Sequence, residues 1–268
     1  MLDYLDKKLT LTTPGHLHPQ GIAVPISLNP ETGLVTVAAL IDGAPHHFVI
    51  DCGSPYSWVR GSAAQAWVKA HPSWKRADGA VGLSNYNMLD NAFEKDGIVV
   101  RIPSISLGAL ELKEVGLLGT GALLGFGDHV FGELFWDAWQ ENAAVPVAGW
   151  FGNNILKQYR ITIDYPNRMS YWLKRGEPDP GELAQVGVTL VYSAGTYAIG
   201  GIVGRNGQPA TEGLMAGDRL VQIDGQRIDG WPRERVLAAL HGKPGESRSI
   251  VVDRNGRMIE RTTVVSAF

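Results

Sequence analysis

Apolar residues in this chain come in short runs, and glycine, proline or asparagine ends almost every one. "IAVPISL", "LVTVAALI", "HHFVI", "GIVVRIPSISL", "YRITIDY" and "MSYWL" all fall between residues 20 and 173. Runs this short, rich in β-branched residues and bounded by breakers, read as strands rather than helices. The 33 glycines and 15 prolines supply the turns such a chain needs. Asp42-Gly43 sits between two of the runs and predicts a tight hairpin. Ser62 to Ala70 and Gly132 to Ala143 are the helical segments. This part of the chain is therefore mainly β with two or three short helices.

"KRGEPDPGE" (Lys174 to Glu182) breaks the pattern, with charges, two prolines, two glycines and no apolar residue. That is linker chemistry. Beyond it a second pattern runs to the end. "VTLVYS", "AIGGIV", "RLVQID", "SIVVDR" and "IERTTVV" read as strands, "PATEGLM" and "WPRERVLAALHG" as helices. Asp224-Gly225 and Asn255-Gly256 predict two more hairpins. At 268 residues, two domains are expected.

A net charge of -3, with both signs scattered, argues against nucleic acid as a partner. No apolar run reaches the length of a membrane span. The start, "MLDYLDKKLT", has acids before its lysines and no hydrophobic core, so it does not read as a signal peptide. One cysteine, Cys52, excludes a disulfide within the chain.

The chemistry concentrates in "FVIDCGSPYSWV" (Phe48 to Val59). Three apolar residues lead to Asp51, then Cys52, Gly53 and Ser54 follow. Glycine allows a tight turn and close backbone approach, and small neighbours leave room for a second group and a water beside the carboxylate. Alone, Asp-x-Gly-Ser is as consistent with an Asx turn. A second element adds to it: "VAGWFGNNILKQYRITIDYPNRMSYWL" (Val147 to Leu173). Together they resemble retropepsin-like aspartic peptidases, in which an apolar-apolar-Gly crosses the active-site turn and leads into a short helix and an "IDY" strand. Trp150, Phe151 and Gly152 fill that element, Asn153 to Tyr159 the helix and Arg160 to Tyr165 the strand.

The resemblance implies Asp51 as the catalytic residue and Cys52, Gly53 and Ser54 as the active-site turn. Two carboxylates sharing one proton are needed, because like charges a few Å apart cannot both ionise cheaply. The chain carries the motif once, so a homodimer with Asp51 meeting its symmetry mate is expected. A glycine-containing flap is expected within Asp78 to Asn91, with Gly82 and Tyr86 as its candidate residues. The glycine-rich stretch Gly116 to Gly132 fits either the cleft or the dimer contact and is no phosphate loop. Cys52 departs from the family, which keeps there a Thr or Ser hydroxyl that ties the two turns together; Pro55 also departs. A cysteine nucleophile would need a histidine base, and His46 and His47 stand just upstream without a supporting signature. His16, His18, His46 and His47 lack Cys, Asp or Glu at ligand spacing, so neither metal nor other cofactor is expected.

"YAIGGIVGRNGQPATEGLMAGDRLVQIDGQRI" (Tyr197 to Ile228) resembles the PDZ domains of bacterial envelope proteases, through Gln208-Pro209-Ala210, Gly213-Leu214, Gly217-Asp218 and Ile223-Asp224-Gly225. Such domains take an extended peptide or a protein C-terminus as an added strand. The matching carboxylate loop runs from Gly195 to Ala198. Tyr197, Ala198, Ile199 and Gly200 are expected at the peptide, and Val236, Leu237 and Leu240 at the wall of its pocket, although plain core packing fits those three equally well.

The expected architecture is mainly β: a retropepsin-like acid-protease β-barrel lobe followed by a PDZ domain, a β-sandwich with two helices. Residues 1–19 form an N-terminal segment, 20–173 the peptidase domain, 174–185 a linker and 186–268 the PDZ domain. The expected function is an aspartic endopeptidase, homodimeric, acting on polypeptides recruited through the PDZ. Alternatives are a catalytically inactive scaffold that binds peptides through the PDZ, and a cysteine-dependent hydrolase. The resemblance implies a periplasmic or cell-envelope location, provided an export signal precedes this stretch.

Overall fold

The structure, a computed structural model, describes the chain apart from residues 17, 91, 121–127 and 206, and apart from the side chains of 92 and 128–134. Its first unit is organised around the strand Ala44–Ile50. Asp42 and Gly43 both adopt positive φ, 52° and 76°, as a two-residue hairpin requires. They fold this strand back on Val35–Ile41, with Val37 opposite Phe48. On its other side Ala44–Ile50 takes Gly149–Phe151 in parallel. The order then runs through Trp58–Val59, Leu110–Gly119 and Ile98–Leu107, and Leu40 opposite Ser106 returns to Val35–Ile41. Six strands thus close a barrel, from which further strands continue the sheet.

Side chains of Val37, Ile41, Phe48, Val100, Ile102, Ile105, Leu107 and Leu117 fill it and are fully buried. The helix Gly61–Ala70 covers one side with Ala64 and Trp67. Ile22–Leu28, Met169–Lys174, Tyr159–Asp164 and an N-terminal pair, Leu2–Asp3 and Lys8–Leu9, extend the sheet outward. Asp3 is buried and paired with Arg175 at 2.8 Å, which fastens the N-terminal pair.

In the second unit the antiparallel order is Gln185–Val186, Arg257–Ser266, Ser247–Arg254, Arg219–Ile223, Thr196–Ile202 and Val188–Ser193. The helix Arg233–Leu240 packs Val236, Leu237 and Leu240 onto it. "PATEGLM" does not form a helix. Gly213 and Gly217 take positive φ, 77° and 89°. Between them Met215 N–H donates to Asp218 Oδ2 (3.0 Å), and Arg254 grips the same carboxylate at 2.7 Å. That turn chemistry outcompetes the helical period.

The segment expected as a linker is buried at its C-terminal end. Glu182, Leu183, Ala184 and Gln185 are all at most 6 % exposed. Glu182 accepts from Arg101 Nη2 (3.3 Å) and from Tyr56 Oη (3.2 Å) of the first unit. Gly204 pairs with Asp78, so the barrel's sheet continues into the second unit. Leu183 and Val203 join Tyr56, Trp58, Val99, Leu118 and Trp150 in one apolar cluster between the units.

Candidate functional site

Asp51 leaves the barrel at the end of Ala44–Ile50, directly after the buried Phe48 and Val49. Its backbone N–H donates to Phe151 O at 3.0 Å, continuing the parallel ladder by one rung. The chain then turns. Gly53 N–H donates to Asp51 Oδ1 (2.9 Å), an Asx turn, and Ser54 N–H to Asp51 O (3.4 Å). Asp51 is half-buried, whereas Cys52 and Gly53 are exposed, so the carboxylate sits at a surface rather than in a closed cavity.

The apolar-Gly element holds this turn from below. Phe151 stacks on Phe48 with parallel rings 4.4 Å apart. Trp150 Nε1 donates to Ser54 Oγ (2.9 Å) and to Tyr56 O (3.1 Å), while Ser54 Oγ donates to Tyr56 O (2.7 Å). Gly152 lies so close that a Cβ there would stand 2.5 Å from the Tyr56 carbonyl. Past it, Asn153 N–H donates to Ser54 O (2.8 Å) and Asn153 Nδ2 to Cys52 O (3.3 Å). The two sequence elements, about a hundred residues apart, thus meet at the Asp51 turn.

Four residues the sequence reading missed complete the support. Asn154, 3 % exposed, accepts from Ser57 N–H (2.9 Å) and Ser57 Oγ (2.7 Å), and donates to Gly116 O (2.9 Å). Ser57 Oγ in turn accepts from Gly152 N–H (2.9 Å). Every member of this buried network is satisfied, which fixes one arrangement of the turn, the short helix Asn153–Leu156 and the strand Leu110–Gly119. Tyr56 anchors the turn to Glu182, and burial pushes its hydroxyl well up from the usual tyrosine range. Tyr4 is the fourth. Burial, and then the nearby Cys52 and Asp51, push its phenol up, and its buried Oη makes no hydrogen bond among the described residues. Asn153-Asn154 directly behind the Gly was the legible signal for this layer; Tyr4 left none.

Among the described residues no histidine hydrogen-bonds Cys52. His46 packs edge-on to Trp67 (5.2 Å between centroids), and burial, with His47 beside it, lowers its basicity.

The stretch expected as a flap is committed elsewhere. Gly82–Ser84 is a 3₁₀ turn, and Gly82 lies against Glu182 O, Leu183 and Gln185. Ser84, Asn85 and Met88 are fully buried. Tyr86 Oη donates to Glu234 on the Arg233–Leu240 helix (3.1 Å). Gly82 and Tyr86 therefore belong to the contact with the second unit, not to a free hairpin. The second candidate stretch, Gly116 to Gly132, falls at 121–127 outside the described residues.

The strand expected to pair with a peptide is not the edge of its sheet. Thr196–Ile202 is hydrogen-bonded on both sides, to Val188–Ser193 and, through Ala198 and Ile199, to Asp218 and Arg219. Its middle residues are therefore already paired on both sides. Ala194-Gly195, with φ of 49° and 78°, is a hairpin turn closed by Thr196 Oγ1 on Ser193 O, so Gly195 to Ala198 does not form a carboxylate loop. Tyr197 is buried, its Oη on Trp231 O (2.7 Å); Ile199 lies in the same core, and a Cβ on Gly200 would press on Val191. Val236, Leu237 and Leu240 line the inner face of the helix, and Met88 of the first unit packs in the same cluster.

No family model matches the chain. Among solved structures it is similar to the photosystem II D1 C-terminal processing protease, with 20 % identity over 32 % of this chain and 23 % of that one, at a TM-score of 0.28. It is similar to a retropepsin-like aspartic protease from Rickettsia conorii, with 14 % identity over 59 % of this chain and 97 % of that one, at 0.35. An HtrA-type protease follows, with 13 % identity over 98 % and 64 %, at 0.26. Likenesses at these scores assign no activity to the chain.

Proposed function

We propose that the chain is an aspartic endopeptidase whose catalytic pair forms when two copies bring their Asp51 carboxylates together, and whose second unit recruits an extended polypeptide. One observation carries the reading: Asp51 ends a buried barrel strand in an Asx turn pinned by Phe151 O, with its carboxylate left at the surface. Asp51 Oδ2 accepts no hydrogen bond among the described residues, so one oxygen is free to meet a partner carboxylate and a water. With one proton shared between two such groups, the ionised member takes a proton from the attacking water. The protonated member donates to the scissile carbonyl oxygen. Titration then belongs to the pair and not to either residue.

Asp51→Asn in the full chain tests this with a denatured protein substrate at mildly acid pH. Loss of cleavage supports the assignment; equal cleavage by the mutant sinks it. Sedimentation showing only monomer at high concentration, in a preparation that cleaves, would overturn the shared pair. The exposed Cys52, standing where the resemblance expects a tying hydroxyl, favours one second reading, an inactive scaffold. Cys52→Thr distinguishes them: it raises cleavage in a weakened enzyme and creates none in a scaffold.

A further inference from the structure

The strand Val188–Ser193 ends its sheet, so its outward N–H and C=O groups have no strand to pair with. An edge of this kind beside an apolar helix face accepts extended peptides. Here it is already taken, and by the first unit. Leu190 N–H donates to Asn85 Oδ1 (2.6 Å), and Asn85 Nδ2 returns a bond to Leu190 O (3.0 Å). The carboxamide thereby presents to Leu190 the acceptor and donor that a neighbouring strand would. Two residues on, Tyr192 N–H donates to Met88 O (2.8 Å). Leu190 and Tyr192 are the alternate, outward-facing positions that a paired strand would use. One residue before them, Thr189 Oγ1 donates to Ala80 O (2.7 Å).

The side chains complete the likeness to a bound ligand. Met88 is fully buried in the cluster of Leu190, Val236, Leu237 and Leu240, between the edge strand and the helix. Tyr86 touches the helix's Glu234. Glu94 holds the loop in this shape from behind, accepting from Asn87 N–H (2.9 Å), Met88 N–H (2.6 Å) and Asn85 Nδ2 (3.2 Å). Met88 itself takes φ of 54°, a conformation that a free methionine seldom adopts.

We propose that residues 85–88 are an internal ligand, closing in cis the groove between Val188–Ser193 and Arg233–Leu240 against an extended peptide that would add to the same edge and place a long apolar side chain where Met88 lies. This rests on the reading of the second unit as a peptide-binding module and not on the peptidase reading. A tethered ligand acts at an effective concentration in the millimolar range, so an external peptide sees a groove that is open only part of the time. A peptide that wins the groove frees the 85–88 loop.

The test uses the full chain and a fluorescein-labelled peptide copying residues 82–90 (GLSNYNMLD), with binding read by anisotropy. The Asn85→Ala/Met88→Ala variant, checked for the wild-type melting profile, is expected to bind this probe at least tenfold more tightly than wild type. Adding Leu190→Pro, which removes the edge N–H, returns binding to the wild-type level or below. A folded double variant that binds no more tightly than wild type overturns the proposal, as does binding indifferent to Leu190→Pro. Hydrogen exchange on the wild-type chain gives a second arm free of variants. With the probe in millimolar excess, the Asn87 and Met88 amides should exchange faster while Leu190 and Tyr192 stay protected. Unchanged Asn87 and Met88 exchange with the probe bound would place it elsewhere and refute the competition. None of these readouts is hydrolysis, so failure here is separable from failure of the Asp51 assignment.

Discussion

Replacing Asn154 by alanine removes no atom of the Asp51 turn, yet it should be among the most destabilising single changes near it. The side chain is 3 % exposed and joins three groups: Ser57 N–H, Ser57 Oγ and Gly116 O. Alanine leaves each of them buried without its partner. At about 1–3 kcal/mol for each orphaned group, and allowing one water to enter the vacated space, the loss comes to about 3–6 kcal/mol. For a chain of this size about 1 kcal/mol moves the melting temperature by roughly 2–4 °C, so a drop of about 6–24 °C is expected. Ser57→Ala is the milder companion. It orphans only Gly152 N–H, since Ser57 N–H keeps its bond to Asn154, and should cost about 1–3 kcal/mol. The two changes share one network, so the double variant should lose clearly less than the sum. Scanning calorimetry measures all three, and tryptophan fluorescence adds a local view because Trp150 donates to Ser54 Oγ in the same assembly. An Asn154→Ala protein melting within about 2 °C of wild type would refute the claim that this network holds the turn.

Other buried groups give further expected outcomes. Burial raises Glu94 to about 7 despite the backbone N–H groups of Asn87 and Met88 that oppose it. The folded chain therefore holds a proton there that the unfolded chain releases near the ordinary 4.5, and its stability falls as pH rises from about 4.5 to 7, by up to about 3 kcal/mol. Glu94→Gln removes that slope, so its melting temperature relative to wild type should climb across this window; a pH-independent difference contradicts it. Gly152→Ala drives a Cβ against the Tyr56 carbonyl, rigid backbone that cannot step aside, and should cost about 1–3 kcal/mol or more by denaturant titration. Glu182→Ala leaves Arg101, 6 % exposed, without its carboxylate and should cost about 3–5 kcal/mol. The apolar pair Arg101→Met/Glu182→Leu should recover most of that, and a double variant as unstable as the single would argue against a charge-based cost.

How much of this was legible depended on range. Hairpins were readable because Asp42-Gly43, Asp224-Gly225 and Asn255-Gly256 carry their φ requirement in the residue types. The helices Gly61–Ala70 and Arg233–Leu240 were readable from their apolar spacing. The meeting of Asp51 with Trp150-Phe151-Gly152 was legible only because both pieces resemble one family's pattern. Contacts between the units were not legible. "KRGEPDPGE" has the composition of a free linker, but Glu182 is drawn inward by Arg101 and Tyr56, partners that no local pattern announces. Glycine content suggested a flap at Gly82 and Tyr86, whereas that glycine serves close packing against Leu183 and Gln185. Thr196–Ile202 was expected at a sheet edge and lies one strand inside it, because sequence does not say which strand ends a sheet. Val188–Ser193 and Thr196–Ile202 look alike as text, and only the pairing order separates them.

The Tyr56–Glu182–Arg101 contact bears on the moment at which the site comes into being. A ribosome adds the Asp51 turn, Ser57 and the barrel strands up to Leu110–Gly119 well before residue 182 exists as peptide. Until then Tyr56 Oη lacks its acceptor, Arg101 lacks its countercharge, and the aromatic face that later receives Leu183 and Val203 stands in water. Domains generally fold as units, the N-terminal one first during synthesis. This one stays open on the side that Tyr56 and Arg101 face, and Glu182 closes that side only when the C-terminal third is being made. Synthesis order thereby places the buttress of the Asp51 turn after the turn itself.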